Sequence, residues 1–198
     1  TFALAVSKLT TLDADLAFVI QQHGSPPFWA RDPGFATLIH IILEQQVSLA
    51  SAQAAFDRLQ AATSPLTPES LLGLDDDAMR AIGFSRQKTD YARTLARYVA
   101  EDRLDLDSLG ELSDGEAAAQ LQQLKGIGPW SAQVYLLMAL RRSDVWPLGD
   151  LALIGAVQEV KRLPQRPTAH EMNRLAEPWR PWRAVAARIL WHHYLSTR

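Results

Sequence analysis

Two glycines one residue apart, Gly126 and Gly128, form the segment of the chain with the most specific chemistry. They lie in the stretch LKGIGPW, between the end of one predicted helix and Pro129, which suits the first turn of the next. Glycine permits a tight turn with positive φ, and such a turn leaves backbone amides free at a positive helix terminus, where phosphate binds. The amides of Gly126, Gly128 and Trp130 are therefore predicted to hold a phosphate. Lys125, on the same turn, is expected to face either solvent or that phosphate, and a plain corner between two helices has the same pattern.

Carbonyl oxygens make up the other side of this turn. With the carbonyls of Gln122, Leu124 and Ile127 turned away from the amides, the turn is expected to hold a monovalent cation, Na⁺ or K⁺, that bridges to the phosphate. No other cofactor is predicted. The chain contains no cysteine, which removes disulfides, thiolate zinc sites, iron–sulfur clusters and a cysteine nucleophile.

A carboxylate follows the glycine pair farther along the chain. Asp150 ends the stretch VWPLGD and immediately precedes an apolar helical pattern that starts at Leu151. This position predicts an N-cap, which by itself is sufficient reason for an aspartate. A helix start also favours negative charge, so the same side chain is available as a reactive carboxylate. The two roles are compatible.

Helical spacing recurs along the chain and the alternating pattern of strands does not, which predicts an all-α fold of roughly ten short helices. Asp32 and Pro33 suit an N-cap and a first helical position, so a buried helix is expected to start there and continue to Leu43. Ser48 and Ser85 are expected to cap two later helices. The last helix is predicted over residues 182–195.

Two capping boxes predict further helix starts. Ser113 with Glu116, and Thr168 with Glu171, each place a hydroxyl and a carboxylate where they satisfy the free amides of a first helical turn. Local signals of this kind therefore predict helix starts in both the middle and the last quarter of the chain.

Together these pieces resemble the helix-hairpin-helix superfamily of DNA base-excision glycosylases, most closely its alkylation-repair branch, the 3-methyladenine DNA glycosylases. The resemblance spans residues 35–194, and its most specific part runs from the glycine pair through the Pro-x-Gly-Asp element that ends at Asp150. Residues 83–88 and 179–183 are similar to a short turn and a C-terminal element of the family. Larger bacterial members carry an N-terminal β-rich domain for which 198 residues leave no room, so the chain resembles a minimal form reduced to the helical core.

The resemblance implies two all-α lobes with a cleft between them, a central lobe over about residues 36–142 and a second lobe from residues 1–35 plus 143–198. It also implies damaged double-stranded DNA as the partner. A base inside a duplex is out of reach, so such an enzyme flips it out of the stack. Asp150 would be the catalytic carboxylate that stabilises an oxocarbenium-like transition state at the sugar. Gln46, in the polar pair Gln45–Gln46 that is not expected to be core, would be the wedge that fills the vacated stack.

The tryptophans suggest how a damaged base is recognised. An N-alkylated purine is cationic, and aromatic faces hold such a ring by stacking and cation–π attraction. By the resemblance, Trp130 and Trp191 are pocket positions, and Val134 and Leu151 stand in place of tyrosines found in a relative. We therefore expect a roomier pocket, which leaves open methylated pyrimidine or adenine lesions beyond 3-methyladenine.

Position 130 separates two mechanisms. In bifunctional relatives it holds a lysine that forms a Schiff base and leads to strand cleavage, whereas this chain has Trp130. The resemblance therefore implies a monofunctional enzyme that leaves an abasic site after excising bases such as 3-methyladenine or 7-methylguanine. The alternatives are a glycosylase for uracil, hypoxanthine or mismatched pyrimidine, a non-catalytic helix-hairpin-helix DNA-binding module, and an all-α protein-interaction domain.

Composition limits the class of protein and its location. Hydrophobic residues make up 47% and charged residues 21% of the chain, as in globular proteins, and the longest apolar run, Val134–Leu140, is far shorter than the roughly 20 residues of a membrane span. Eight of the 20 basic residues but three of the 22 acidic residues follow position 150, which fits a solvated helix face or a nucleic-acid footprint. We expect a monomer in a reducing compartment, the bacterial cytoplasm at the nucleoid or a eukaryotic nucleus. Thr1 in place of Met leaves the true start of the chain open.

Overall fold

All regular secondary structure in the chain is helical, and there is no strand. The computed structural model describes every residue from Thr1 to Arg198 and contains twelve α-helices and two short 3-10 helices, which confirms the all-α prediction. None of the helices has the length and apolar character needed to span a bilayer. The chain divides into two compact units, residues 31–140 (the hairpin unit) and residues 1–30 with 141–198 (the carboxylate unit).

The helices follow one another along the chain with short connections. In order they are α1 (Phe2–Leu12), α2 (Ala14–His23), α3 (Phe35–Glu44), α4 (Leu49–Ala62), α5 (Pro68–Leu72), α6 (Asp76–Ile82), α7 (Arg86–Ala100), α8 (Asp114–Leu121), α9 (Pro129–Met138), α10 (Leu151–Val160), α11 (Ala169–Ala176) and α12 (Arg183–Ser196). The 3-10 helices are Ser108–Gly110 and Glu177–Trp179.

The hairpin unit is built around α3. Seven of the ten residues of this helix are buried, and it packs against α4, α7 and α9. A fully buried leucine or isoleucine contributes roughly 1.5–3 kcal/mol, so α3 supplies much of the stability of this unit. Helices α8 and α9 pack together across the turn 122–128, which confirms the predicted helix-hairpin-helix.

The start of α3 differs from the prediction. The helix begins at Phe35 with Gly34 as its N-cap at φ 127°, so the prediction of a start at Asp32 and Pro33 is wrong. The amide of Gly34 donates to the hydroxyl of Tyr135 at 2.9 Å, and the carbonyl of Asp32 accepts from Oγ1 of Thr37 at 2.6 Å. These tertiary and local bonds satisfy the backbone before Phe35 and hold it outside the helix.

The other helix starts follow their local signals. Ser48 and Ser85 cap α4 and α7, Pro129 occupies the first position of α9, and both capping boxes are formed. The last helix is shifted by one residue at each end from the predicted range 182–195. Signals within a few residues of a helix end therefore predicted most boundaries well.

The carboxylate unit is built around α12. Every residue from Ala184 to Trp191 is buried, and the helix packs against α1, α2 and α10. Arg188 lies within this core at 2% exposure; its Nε donates to the carbonyl of Phe28 at 2.7 Å and its guanidinium covers the Phe28 ring. Burial lowers the pKa of Arg188 to about 10. The side chain therefore ties the chain before residue 30 to α12.

Candidate active site

Asp150 is held at the start of α10 by two hydrogen bonds to one oxygen. Its Oδ1 accepts the amide of Leu153 at 2.7 Å, which confirms the predicted N-cap, and it accepts the indole Nε1 of Trp191 at 3.1 Å. The residue before it, Gly149, has φ 84°, a left-handed conformation that glycine adopts without a steric penalty and that turns the chain into the helix. The carboxylate is half-buried, and its orientation is set by partners on two helices.

Trp191 and Leu151 differ strongly in exposure. Trp191 is 8% exposed and directs its indole N–H to Asp150, so the structure brings these two predicted site residues together. Leu151, which follows Asp150 in the chain, is 71% exposed at the first position of α10. A large apolar side chain is therefore presented beside the carboxylate.

Trp130 and Val134 lie one turn apart on α9, in the hairpin unit. Trp130 is half-buried, whereas Val134 is 2% exposed and belongs to the core of that unit. Asp150, Leu151 and Trp191 all belong to the carboxylate unit. The predicted pocket residues are therefore divided between the two units, and their shared role stays a prediction.

The glycine turn is shaped by close packing on one of its two glycines. Gly126 has φ 95°, and a Cβ there would lie 2.2 Å from Cγ of Tyr91, so an aromatic ring fills the place of a side chain. Gly128 has φ −86° and ψ −179°, so the expectation of a positive φ is met at Gly126 alone. The residue before a proline avoids the helical region and prefers extended backbone, which explains the conformation of Gly128 before Pro129.

The turn does present free backbone donors. The amides of Gly126 and Gly128 donate to no other group of the chain, and Gly128 is exposed next to the first turn of α9. Free amides at a helix start bind anions. The geometry is therefore suited to a phosphate oxygen at this place.

Lys125 has a partner within the chain. Its Nζ donates to Oδ2 of Asp90 on α7 at 2.6 Å, and both side chains are more than half exposed. The hydrogen bond and charge of Asp90 raise the pKa of Lys125, and those of Lys125 lower the pKa of Asp90. Lys125 faces solvent beside the turn, and Asp90 offsets its positive charge there.

The carbonyl side of the turn contains the three oxygens that are predicted to hold Na⁺ or K⁺, those of Gln122, Leu124 and Ile127. The carbonyl of Leu124 accepts the amide of Ile127 at 3.0 Å and retains a second lone pair. Backbone carbonyls are neutral oxygen ligands of the kind that hard cations prefer, and binding of a cation by these three stays a prediction. No cluster of three or more His, Cys, Asp or Glu side chains in the chain is arranged to hold a metal.

The junction between α3 and α4 presents an exposed side chain. Gln46 has φ 57°, a left-handed conformation uncommon for a residue with a side chain, and it makes no hydrogen bond to the rest of the chain. The next residue, Val47, is 47% exposed, and Leu49 at the start of α4 is 58% exposed. The exposed tip of this junction is therefore one amide side chain flanked by apolar ones.

The residues that support these elements were not predicted from the sequence. Gln45 is half-buried and hydrogen-bonded into the hairpin, Lys88 donates to the carbonyl of Leu43, and Tyr91 packs on Gly126. The adjacency of Gln45 to Gln46 was the only signal in the sequence, and it pointed to a surface pair. These partners lie 35 or more residues apart in the chain, so they leave no mark in local spacing.

Comparison with known proteins assigns the class that this fold and site define. Residues 39–181 match the HhH-GPD superfamily of base excision DNA repair proteins, and the chain belongs to this family. It is 32% identical over 161 residues to DNA-3-methyladenine glycosylase 1 of Schizosaccharomyces pombe, covering 79% of this chain and 71% of that protein. It is 27% identical to a putative DNA-3-methyladenine glycosylase of Bacillus subtilis, covering 89% of this chain and 64% of that protein.

A solved structure extends the similarity to the fold. The structure of a Schizosaccharomyces pombe 3-methyladenine DNA glycosylase in complex with abasic DNA matches with a TM-score of 0.89 at 29% identity, covering 94% of each chain. The family and the particular relatives therefore agree with the resemblance that the residues of the turn and of Asp150 carry.

Proposed function

We propose that this chain is a monofunctional DNA glycosylase that flips alkylated bases such as 3-methyladenine and 7-methylguanine out of damaged double-stranded DNA and excises them. The observation that carries the proposal is the Asp150 carboxylate, which Leu153 and Trp191 orient at the start of α10. Its setting is a helix-hairpin-helix chain whose relatives bear the name of 3-methyladenine glycosylases. We expect the protein to act as a monomer, at the bacterial nucleoid or in a nucleus.

Asp150 would act on the sugar as the bond to the base breaks. The electrons of the C1′–N bond leave with the base, which N-alkylation has made cationic and which departs neutral. Positive charge grows on the deoxyribose, and a fixed carboxylate stabilises it. A water oxygen then bonds to C1′ and its proton passes through Asp150 to solvent. The products are the free base and an abasic site.

The hairpin unit would bind the DNA backbone and the base stack. The free amides of Gly126 and Gly128 bind a backbone phosphate. Na⁺ or K⁺ on the carbonyls of Gln122, Leu124 and Ile127 would supply positive charge beside that phosphate. The exposed Gln46 fills the gap that the flipped base leaves in the stack. Flipping costs a few kcal/mol and least for damaged pairs, so these contacts favour damaged sites.

A product analysis tests the proposal directly. Methylated duplex DNA is incubated with the protein, and released bases and strand breaks are measured with and without later alkali. We expect free 3-methyladenine or 7-methylguanine, with strand breaks after alkali alone, because Trp130 replaces the lysine that a lyase reaction needs. Strand breaks before alkali would contradict monofunctional action. Binding without base release would indicate a non-catalytic DNA-binding module.

The range of lesions needs a second measurement. Leu151 is exposed beside Asp150, and its side chain is smaller than an aromatic one, which favours a wide range of bases. Competition between duplexes that each carry one defined lesion, including uracil, hypoxanthine and methylated pyrimidines, ranks the substrates. Preference for uracil or hypoxanthine over alkylated purines would replace the proposed specificity with another one in the same class.

A further inference from the structure

The junction that presents Gln46 is held from behind by the residue before it. Gln45 ends α3 in an extended conformation at φ −60° and ψ 121°, and its side chain is half-buried while that of Gln46 is exposed. The two neighbouring glutamines therefore point in different directions. One faces solvent, and the other faces the protein.

Gln45 uses both hydrogens of its side-chain amide to bond to the hairpin. Its Nε2 donates to the carbonyl of Gly126 at 2.8 Å and to Oγ of Ser131 at 3.0 Å. Gly126 belongs to the glycine turn, and Ser131, 2% exposed, belongs to the first turn of α9. One side chain thus joins the wedge junction to the two parts of the hairpin that flank the free amide of Gly128.

Other bonds hold the end of α3 without reaching the hairpin. Nζ of Lys88 donates to the carbonyl of Leu43 at 2.7 Å, and Glu44 pairs with Arg31. These bonds set where the helix ends. The direction of the chain beyond that end is set by Gln45, because its side chain is the one that bonds to the hairpin there.

The backbone of Gln46, with φ 57°, depends on the link that Gln45 makes to the hairpin. A left-handed conformation in a residue with a side chain persists only where the surroundings maintain it. The bonds of Gln45 hold the junction immediately before Gln46, so they fix the distance between the exposed side chain and the phosphate-binding amides. This distance matters because the Gln46 side chain must act at the damaged nucleotide while the amides of the glycine turn bind a phosphate of the same DNA.

We infer that Gln45 is a positioning residue that couples the wedge to the hairpin and so sets the preference of the protein for damaged over undamaged DNA. The inference rests on the proposed function for the identity of the ligand. It requires that Gln45 act through Gln46 and not through general stability.

The test compares Gln45→Leu, which has similar volume and no donor, with Thr37→Val on the same helix. Thr37→Val also removes one side-chain bond to a backbone carbonyl, but at the opposite end of α3. Affinity is measured for a duplex with a tetrahydrofuran abasic-site analogue and for the matching undamaged duplex. We expect Gln45→Leu to reduce the ratio of the two affinities about tenfold and Thr37→Val to leave it unchanged.

A double variant shows whether Gln45 affects the affinity ratio through Gln46. If Gln45 acts through the wedge, Gln45→Leu combined with Gln46→Ala matches Gln46→Ala alone within about twofold. Should Gln45→Leu fail to fold, Ser131→Ala removes one of its two acceptors, and we expect about a threefold loss of the same ratio. Additive effects of the two glutamine variants, an unchanged ratio, or an equal loss in Thr37→Val would overturn the inference.

The binding measurement keeps the inference separate from the catalytic proposal. A wild-type protein that prefers abasic-analogue DNA but releases no base would refute the proposed function and leave the role of Gln45 open to this same test. A wild-type protein that excises bases, with a Gln45→Leu variant of normal preference, would refute the inference alone.

Discussion

The indole nitrogen of Trp191 and the amide of Leu153 donate to the same carboxylate oxygen of Asp150, at 3.1 and 2.7 Å. One donor comes from the helix that Asp150 caps and the other from α12, 41 residues along the chain. With the capping bond alone, the carboxylate could still rotate about the line that joins its Oδ1 to the amide of Leu153. The second bond limits that rotation, so Trp191 has a role in orienting Asp150 in addition to its predicted place in the base pocket.

Replacement of Asp150 by Asn separates chemistry from folding. Asn caps helices about as well as Asp, so the free energy of unfolding should change by less than about 1 kcal/mol. Loss of the negative charge should reduce single-turnover excision at least about 100-fold, as expected for removal of a main electrostatic group. Denaturant unfolding and excision from methylated duplex measure the two effects. A variant that keeps the wild-type rate with an unchanged fold would remove Asp150 from the mechanism.

Trp191→Phe tests the orienting bond. The variant keeps an aromatic ring but removes the indole donor, so we expect about a five- to tenfold lower single-turnover rate and about 1–2 kcal/mol lower stability. Affinity for abasic-analogue DNA should stay within twofold of wild type. A Trp191→Leu variant is the comparison, because it removes the ring as well as the donor. Equal rates in wild type and Trp191→Phe would assign Trp191 to packing or stacking alone.

Gly126 and Gly128 should respond differently to the same change. In Gly126→Ala the new methyl group would overlap the Tyr91 ring, and the alanine would have to adopt the left-handed backbone conformation of Gly126. We therefore expect a loss of about 2–4 kcal/mol in stability. Gly128→Ala meets nothing within 4 Å at φ −86° and should change stability by less than about 0.5 kcal/mol. Thermal unfolding of the two variants gives the comparison. Similar stabilities would contradict the packing of the turn on Tyr91.

Asp90 should weaken the contribution of Lys125 to DNA binding. Asp90→Ala releases the ammonium group, so affinity for duplex DNA should rise a few-fold at low salt, with a steeper dependence on salt by about one ion. Lys125→Ala should lower the affinity for duplex DNA and make its dependence on salt less steep. Glu101→Ala makes the same change in net charge at an exposed acid that pairs with Arg103, and it controls for long-range charge. If Asp90→Ala and Glu101→Ala raise affinity equally, Lys125 has no specific contact with phosphate.

His40 should make the hairpin unit sensitive to mild acid. Its ring stacks on Phe56 at 4.3 Å between centroids. Burial, and then the charge of Arg31, lower its pKa below 6.5, against the smaller opposite effects of Glu44 and Asp57. The unfolded chain therefore binds the proton more readily, so stability falls as the pH drops from about 7 through the lowered pKa.

The control for this pH dependence is a second histidine. His40→Phe retains a stacked ring and should lose less stability between pH 7 and pH 5 than wild type, while His170→Gln, at an exposed histidine, should behave as wild type does. Denaturant midpoints across this range provide the measurement. A wild-type slope in His40→Phe would show that other groups produce the acid sensitivity.

Local signals in the sequence determined the class of fold, most helix starts and the places of the candidate site residues in that fold. A cap, a capping box or a proline acts within about four residues. Asp150, Ser48 and Pro129 therefore occupy in the fold the helix-start positions that the sequence predicts for them. The glycine turn was equally readable, and the left-handed Gly126 confirms it. The extended Gly128 follows from a local rule as well, the effect of the proline after it.

Tertiary structure decided what each of these groups bonds to. The bonds from Trp191 to Asp150 and from Gln45 to Gly126 join residues 41 and 81 positions apart, and the start of α3 at Phe35 depends on Tyr135, 101 positions from Gly34. Such partners are selected by the packing of whole helices, which brings together donors and acceptors that have no fixed spacing in the chain. Residue types therefore predicted a helix-capping carboxylate and a glycine turn as candidate site elements, while helix packing determined which side chains orient and support them.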